Sequence, residues 1–424
     1  MGSSGSKNID KAAKYGQIYI QTDKPSYSGG ETVIGNIYIN LIAPYPGNQL
    51  FLKLKGIEAV YFVGTKGDSK DSIQPEELQS EKRTIIRQDF PIHSWTSLES
   101  GQFIIPFEFM FPHSLPPSFH QRGFKYSAYI AYHLEAYLKP PNKNIPKLKC
   151  KQNVIVRESL RGSMQGYSNQ IKTQLKTCGC IQQGTNILKA HFAKSSYIPG
   201  EVAQVVMQLD NSKSGLDNKK IICSLKQRLK LAIKGNPREQ IFTKVYRELP
   251  GVPTKRFSES NYLALNLPPL QEEFSFQDKN QFSLAALSDL KESNYTISST
   301  THSKLITSEY YLEVSCPMSG CFSTTPMVIC PVSICHPDVN FAPVAAPEHW
   351  EPETIKRVSI GFAPPPEEYS PTNNFGMMEN FMPRKSQGHG DSSVELIKLI
   401  SSGNKRNSEK GNNSFARNYN YQNQ

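Results

Sequence analysis

The sequence predicts an all-β protein: two tandem β-sandwiches followed by a disordered C-terminal tail. Three observations predict it. An octad occurs twice, as Lys24-Pro25-Ser26-Tyr27-Ser28-Gly29-Gly30-Glu31 and as Lys194-Ser195-Ser196-Tyr197-Ile198-Pro199-Gly200-Glu201, 170 positions apart. Two further matches follow in the same order: Leu54-Lys55 with Leu225-Lys226 at 171, and Tyr132-His133-Leu134-Glu135-Ala136 with Tyr310-Tyr311-Leu312-Glu313-Val314 at 178. Such a period is domain-sized, too long for a solenoid repeat. Finally, apolar residues alternate with polar ones between these landmarks, and 30 Pro and 27 Gly punctuate the chain. That is the pattern of short antiparallel strands with one buried face.

Each copy opens on a turn. Pro199-Gly200 suits the centre of a type II turn, with φ preset by Pro and a positive φ taken by Gly, and Gly29-Gly30 holds the same place earlier. Beyond the turns, Val33, Ile37, Ile39 and Leu41 fall on one face of a strand, and Ala203, Val205, Met207 and Leu209 repeat them. Ile221, Cys223, Leu225, Leu229, Leu231 and Ile233 form a second apolar face. The longest run puts Phe124, Tyr126, Ala128, Ile130, Tyr132, Leu134, Ala136 and Leu138 on one side.

In order, residues 1–14 are a polar start. Met1-Gly2-Ser3-Ser4-Gly5-Ser6 fits the N-myristoylation pattern with Gly2 as acceptor, and Lys7, Lys11 and Lys14 supply the electrostatic contact that one acyl chain needs. The first sandwich is expected over 15–160, with a solvated polar loop near 64–83, and a polar linker over 161–180. The second is expected over 181–345, with insertions at 235–262 and 271–302; the latter includes a short surface helix in Phe282–Leu290. Residues 346–369 read as Pro-rich and extended, and 370–424 as a disordered tail carrying a short amphipathic segment at 392–403.

Composition narrows the function. With 38% apolar residues in 424, two cores can be built, and no run of 18 apolar residues spans a membrane. The start lacks a signal-type apolar core, so the expected location is cytoplasmic, and the eight cysteines are expected to be free thiols. A net charge of +11 favours anionic partners, with nucleic acid the least favoured. No enzyme motif is found: no His-Glu-x-x-His, no phosphate loop, no Gly-x-Ser-x-Gly elbow. Cys316-x4-Cys321 and Cys330-x4-Cys335-His336 lack the tight spacing of zinc knuckles, so no metal and no cofactor is expected.

Gly101-Gln102-Phe103-Ile104-Ile105-Pro106-Phe107-Glu108-Phe109, then Leu115-Pro116-Pro117-Ser118-Phe119, then the Tyr-rich strand resemble the amino-terminal half of an arrestin domain pair. The second copy adds Tyr197-Ile198-Pro199-Gly200-Glu201 after Cys178-Gly179-Cys180, then Leu209-Asp210-Asn211, and closes on Pro326–Ile334. This order resembles the arrestin-domain-containing (α-arrestin) family over about residues 15–340. A rival resemblance, of Gln21–Tyr27 to a macroglobulin-domain strand, comes without that family's Cys-Gly-Glu-Gln thioester.

The arrestin resemblance implies immunoglobulin-like sandwiches and a non-enzymatic adaptor at the plasma membrane or endosomes. Such an adaptor binds membrane proteins or their phosphorylated tails and recruits trafficking machinery. A retromer-like coat subunit of similar double-sandwich fold is the alternative, and an enzyme on a β-sandwich scaffold a further one. Ubiquitin-ligase recruitment through Pro-Pro-x-Tyr is not expected, because Pro365-Pro366-Glu367-Glu368-Tyr369 has one residue too many.

Two sets of residues are candidate sites. Lys226, Arg228, Lys230 and Lys234 alternate along one strand about 7 Å apart, with Lys53 and Lys55 outward in the first copy, a pitch suited to phosphates on an extended peptide or a lipid surface. In the tail, Ser392-Ser393-Val394-Glu395 has the form of a capping box. Glu395, Leu399 and Ile400 resemble an acidic dileucine signal for clathrin adaptors; the same segment docking on the protein's own sandwich is the competing expectation.

Overall fold

The computed structural model describes residues 14–65, 76–158, 166–271, 282–288, 295–337 and 351–361. In chain order the first sandwich contributes β1 (Gly16–Thr22), β2 (Ser26–Ser28), β3 (Thr32–Leu41), β4 (Gln49–Thr65), β5 (Glu76–Ser94), β6 (Gly101–Met110), β7 (Phe119–Gly123), β8 (Tyr126–Lys139) and β9 (Lys149–Arg157). The second contributes β10 (Tyr167–Thr177), β11 (Ile181–Phe192), β12 (Ser196–Tyr197), β13 (Val202–Asp210), β14 (Lys220–Ile233), β15 (Asn236–Pro250), β16 (Phe257–Asn266), β17 (Thr301–His302), β18 (Ile306–Ser315) and β19 (Met327–Ile334). A short helix, α1 (Leu284–Ser288), lies before β17, and β20 (Glu353–Thr354) and β21 (Val358–Ile360) end the described chain.

The duplication is visible strand by strand. The first copy orders its sheets β1-β3-β6 and β2-β9-β8-β4-β5; the second orders them β11-β13-β16 and β12-β19-β18-β14-β15. Even the parallel pair recurs: β2 on β9, and β12 on β19.

The octad explains itself in this setting. Its Tyr is a core residue in both copies, Tyr27 and Tyr197 being fully buried. Its Lys and Glu close an ion pair across the turn, Lys24 with Glu31 and Lys194 with Glu201, the latter at 2.7 Å. The Glu also caps the turn, accepting from the Ser28 amide and from the Ile198 amide, each at 2.8 Å. Gly30 and Gly200 take φ of 81° and 84°, the left-handed backbone that glycine adopts without strain.

The cores follow from alternation. Val33, Ile37, Ile39, Leu50, Leu52 and Leu54 fill the first; Ala203, Val205, Leu209, Ile221, Cys223 and Leu225 fill the second. Cys316 and Cys330 are fully buried among these apolar residues, and among the described residues no three His, Cys, Asp or Glu side chains form a metal-holding group. No described helix is long and apolar enough to cross a membrane.

Beyond Leu225 the inner face of β14 leaves its own core. Leu229, Leu231 and Ile233, with Leu305 and Ile306, join the first sandwich's apolar cluster, so the sandwiches share a seam. One buried polar knot crosses it: the Gln227 and Gln121 side-chain amides hydrogen-bond each other, and Gln227 also donates to Ser308 Oγ at 2.9 Å. Ser298 and Ser299 hydroxyls donate to the His120 and Ser118 carbonyls.

The structure corrects four sequence expectations. Within the linker expected over 161–180, residues 167–177 form β10, which pairs with β11 up to Thr177 opposite Ile181. The loop expected at 64–83 gives way to the ends of β4 and β5, paired up to Thr65 with Glu76. The insertion expected at 235–262 holds β15 and the first half of β16. Phe124 lies half-exposed in the turn before β8 instead of on its buried face. The expected helix is present as α1, and its flank packs on the first sandwich: Phe282 stacks on Tyr61 with centroids 4.5 Å apart, and the Leu287 carbonyl accepts from the Lys125 amide.

From the Pro-rich segment, β20 and β21 run parallel to β6, Glu353 opposite Phe103 and Ile360 opposite Phe109. Ile360 is buried in the first core, Ser359 donates to Glu108, and Arg357 faces Glu108 at 3.6 Å.

Candidate anion-binding face

The outer face of the β5-β4-β8-β9 sheet carries the first copy's cations. Registration sets Arg87, Lys55, His133 and Asn153 in one cross-strand row, and Asp89, Lys53, Glu135 and Lys151 in the next. Neighbouring strands lie about 4.8 Å apart, so each row is a compact charge cluster.

Acids on this face are already engaged. Asp89 pairs with Lys53 at 3.1 Å and accepts from the Tyr137 hydroxyl at 2.9 Å. Glu135 pairs with Lys147 at 2.8 Å and Lys151 at 3.8 Å. Burial pushes the Glu135 carboxyl up, but its hydrogen bond from Lys147 and the charges of Lys147, Lys53 and Lys151 more than offset that, so it stays ionised below the usual range.

Lys55, Lys82 and Arg87 remain, with no carboxylate within ion-pair distance among the described residues. Lys82 and Arg87 are exposed and Lys55 is half-buried. Burial, then the charges of Lys82, Arg87, Lys151 and Lys53, hold the Lys55 ammonium below its ordinary range. Next to it, burial first and then Lys151 and Lys55 lower His133 to about 4, so its imidazole is neutral at physiological pH. A bound anion relieves the repulsion among these cations, which is the arrangement of a phosphate or carboxylate site.

The second copy differs. Lys226, Arg228 and Lys230 do point outward from β14, but each meets an acid. Lys226 pairs with Glu313 at 2.7 Å, Arg228 with Glu239 at 2.6 Å and Glu309 at 3.9 Å, and Lys230 with Glu239 at 3.3 Å. Lys234 is not on the strand; it sits at φ 52° in the β14–β15 turn, where its amide donates to Glu81. The stripe expected to be the main anion surface is therefore internally neutralised.

Sequence reasoning named Lys53 and Lys55 but missed Lys82, because 64–83 read as a loop and a loop has no register, and Arg87, because its place opposite Lys55 is set only by the pairing of β5 with β4. Glu313 was legible through its match with Glu135, yet the match conceals a change of partner. In the first copy Lys147 and Lys151 take that acid, leaving Lys55, the counterpart of Lys226, without it. Gly2, Glu395, Leu399 and Ile400 lie outside the described residues.

Fold and face together define a protein of two like sandwiches joined by a shared seam, with a cationic sheet face on the first. Family models agree on which. The arrestin (or S-antigen) N-terminal domain matches residues 16–161, and the arrestin (or S-antigen) C-terminal domain matches residues 182–339. These take in well over half of the sequence, and the chain belongs to the arrestin family. It is also similar to "Arrestin domain-containing protein A" of Dictyostelium discoideum, 23% identical over 323 residues that cover 73% of this chain and 50% of the relative. The chain thus spans about half the length of that relative.

Proposed function

We propose that this arrestin-family protein is a binding adaptor for membrane proteins, engaging phosphorylated segments of their tails on the outer face of the first sandwich and recruiting trafficking machinery through other parts of the chain. The observation that carries the reading is the set of Lys55, Lys82 and Arg87, aligned on one sheet face with no acid among the described residues to neutralise them. Charge-assisted hydrogen bonds from such a set to phosphate are short and roughly twice as strong as neutral ones. The work is binding, without covalent chemistry. In this role Gly2 acylation adds a membrane contact, and Glu395, Leu399 and Ile400 offer an adaptor signal.

The test is fluorescence anisotropy with a doubly phosphorylated peptide and its unphosphorylated twin. The phosphopeptide should bind more tightly, with affinity falling as salt rises. Lys55→Gln with Arg87→Gln should weaken it about tenfold or more, whereas Lys226→Gln with Lys230→Gln should change it little. Equal binding of the two peptides, or sensitivity only to the second pair, overturns the reading. Binding to anionic vesicles but not to the phosphopeptide would assign the face to a membrane instead.

A further inference from the structure

Apart from the half-buried Cys150, the cysteines divide into two populations. Cys223, Cys316, Cys330 and Cys335 are buried, and burial pushes their thiols up to about 12, 12, 12 and 11, which keeps them protonated and inert. Cys178, Cys180 and Cys321 are exposed, and they come together at one end of the second sandwich from segments far apart in sequence.

Cys178 and Cys180 flank Gly179 in the turn that joins β10 to β11, with Thr177 paired to Ile181. The loop between β18 and β19 runs antiparallel beside β10. The Thr324 amide donates to the Lys176 carbonyl at 3.1 Å, and the Cys178 amide to the Cys321 carbonyl at 3.2 Å. Cys178 and Cys321 therefore sit side by side in two adjoining turns, joined by a backbone hydrogen bond. In an antiparallel ladder, residues joined by backbone hydrogen bonds have Cα atoms about 5.5 Å apart; a similar approach here falls inside the roughly 4.4–6.8 Å that a disulfide spans. The approach is held from below by Leu175, Leu216 and Met318, which form a small apolar cluster of their own. Backbone at the site is committed to this close packing: Cys178 and Phe322 take φ of 48° and 49°, uncommon for residues with a side chain.

We propose that Cys178 and Cys321 are a site of reversible thiol oxidation, closing a disulfide that staples the β10–β11 turn to the β18–β19 loop. The oxidant is a small-molecule disulfide such as oxidised glutathione. One protein thiolate attacks it, forming a mixed disulfide and releasing one small thiol; the second protein thiolate then displaces the other small thiol. Two protein thiols are oxidised to one S–S bond, and one small disulfide is reduced to two thiols, the two protons passing to them. Cys180 Sγ turns back toward the Cys178 carbonyl at 3.6 Å. A Cys178–Cys180 bridge across the single Gly179 would have to distort the turn, so Cys321 is the preferred partner.

The test uses the full-length chain equilibrated with graded ratios of reduced to oxidised glutathione, followed by trapping of free thiols and peptide mapping without reductant. Under oxidising ratios a peptide pair joined through Cys178 and Cys321 should appear, two hydrogens lighter than the sum of its parts, and revert on reduction. Cys178→Ser and Cys321→Ser should each abolish it, and Cys180→Ser should leave it in place. The wild-type map alone decides the matter if a variant misfolds. Full trapping of all three thiols at the most oxidising ratio overturns the proposal, as does a Cys178–Cys180 bridge or glutathione adducts without the cross-link.

Discussion

The two copies fold their octads alike and differ in what surrounds them. One residue before the octad the first copy has Asp23, whose carboxylate accepts from the Tyr27 hydroxyl and the Ile34 amide; the second has Ala193 there. Arg157, opposite Ser28 in β9, adds a second cation to Glu31 at 3.5 Å, and Cys335, just past the end of β19, stands at the corresponding point. His113 packs its ring against Gly30, whereas among the described residues no such side chain crowds Gly200. Backbone bonds tie the turn to the neighbouring strand end in both copies, Gly30 to Phe111 and Gly200 to Pro268, but only the first copy adds this side-chain bracing. Duplication preserved the interactions internal to the octad and its backbone ties to neighbouring strands, and let the external side-chain contacts diverge.

The sheet edges diverge in the same way. In the second copy β10 covers β11; among the described residues nothing pairs with the outer edge of β1, its counterpart. At the opposite end the relation is reversed. β20 and β21 cover β6, while among the described residues no strand pairs with the outer edge of β16, which lends its Ala264 carbonyl to Arg247 at 2.8 Å. An open edge is a template for unwanted pairing, and a pairing segment covers one such edge in each copy.

If bracing is real, truncating the buried Tyr should hurt the first copy more. Tyr27→Ala should cost about 3–5 kcal/mol by cavity formation, plus the penalty of stranding Asp23; Tyr197→Ala should cost the cavity alone. Urea unfolding of each variant measures both, and equal costs would break the comparison. Next in size is the turn glycine. Gly200→Ala should cost about 1–2 kcal/mol for a left-handed alanine, and Gly30→Ala more, since the His113 ring must also move. Removing only the hydroxyl sharpens the first test: Tyr27→Phe should cost about 1–2 kcal/mol, and Tyr197→Phe about 0.5 kcal/mol or less, because no acid stands at 193.

The fold was legible where packing repeats and illegible where it does not. Tyr27 and Tyr197 announce the duplication because each must fill a core and cap a turn at once, which constrains eight residues together. β5 near Glu76 is polar on both faces, and β15, with Phe242, Val245 and Leu249 only partly buried and Ile241 and Tyr246 exposed, breaks alternation at the outer margin of its sheet, so no clean period-two apolar signal marks either. β10 is exposed along most of its length for the same reason and read as linker. The cationic face was half legible. Outward placement of Lys53 and Lys55 follows from alternation, but whether a cation keeps or loses its acid depends on cross-strand register, as Lys55 and Lys226 demonstrate.

The smallest predicted effect concerns acid. Burial pushes the Glu31 carboxyl up, but the Lys24 hydrogen bond, the Ser28 amide, and the charges of Lys24 and Arg157 together bring it below its ordinary 4.5. A carboxyl that is more acidic folded than unfolded stabilises the fold fully above its unfolded value. That contribution is lost as pH falls through the folded value. Unfolding free energy should therefore decline on acidification below about pH 4.5, the unfolded carboxylate range, and Glu31→Gln should remove Glu31's share of the decline. Arg157→Gln takes away one of the two cations, so it should raise the folded value and narrow the window without abolishing it. At neutral pH it should cost only about 0–1 kcal/mol, as expected of a pair that is partly exposed. Urea midpoints collected from pH 3 to 7, where about 4.5 marks the unfolded carboxyl, resolve the three proteins. Superimposable acid limbs for wild type and Glu31→Gln would mean that Arg157 braces the octad by packing alone, and that the charge difference between the copies is without energetic weight.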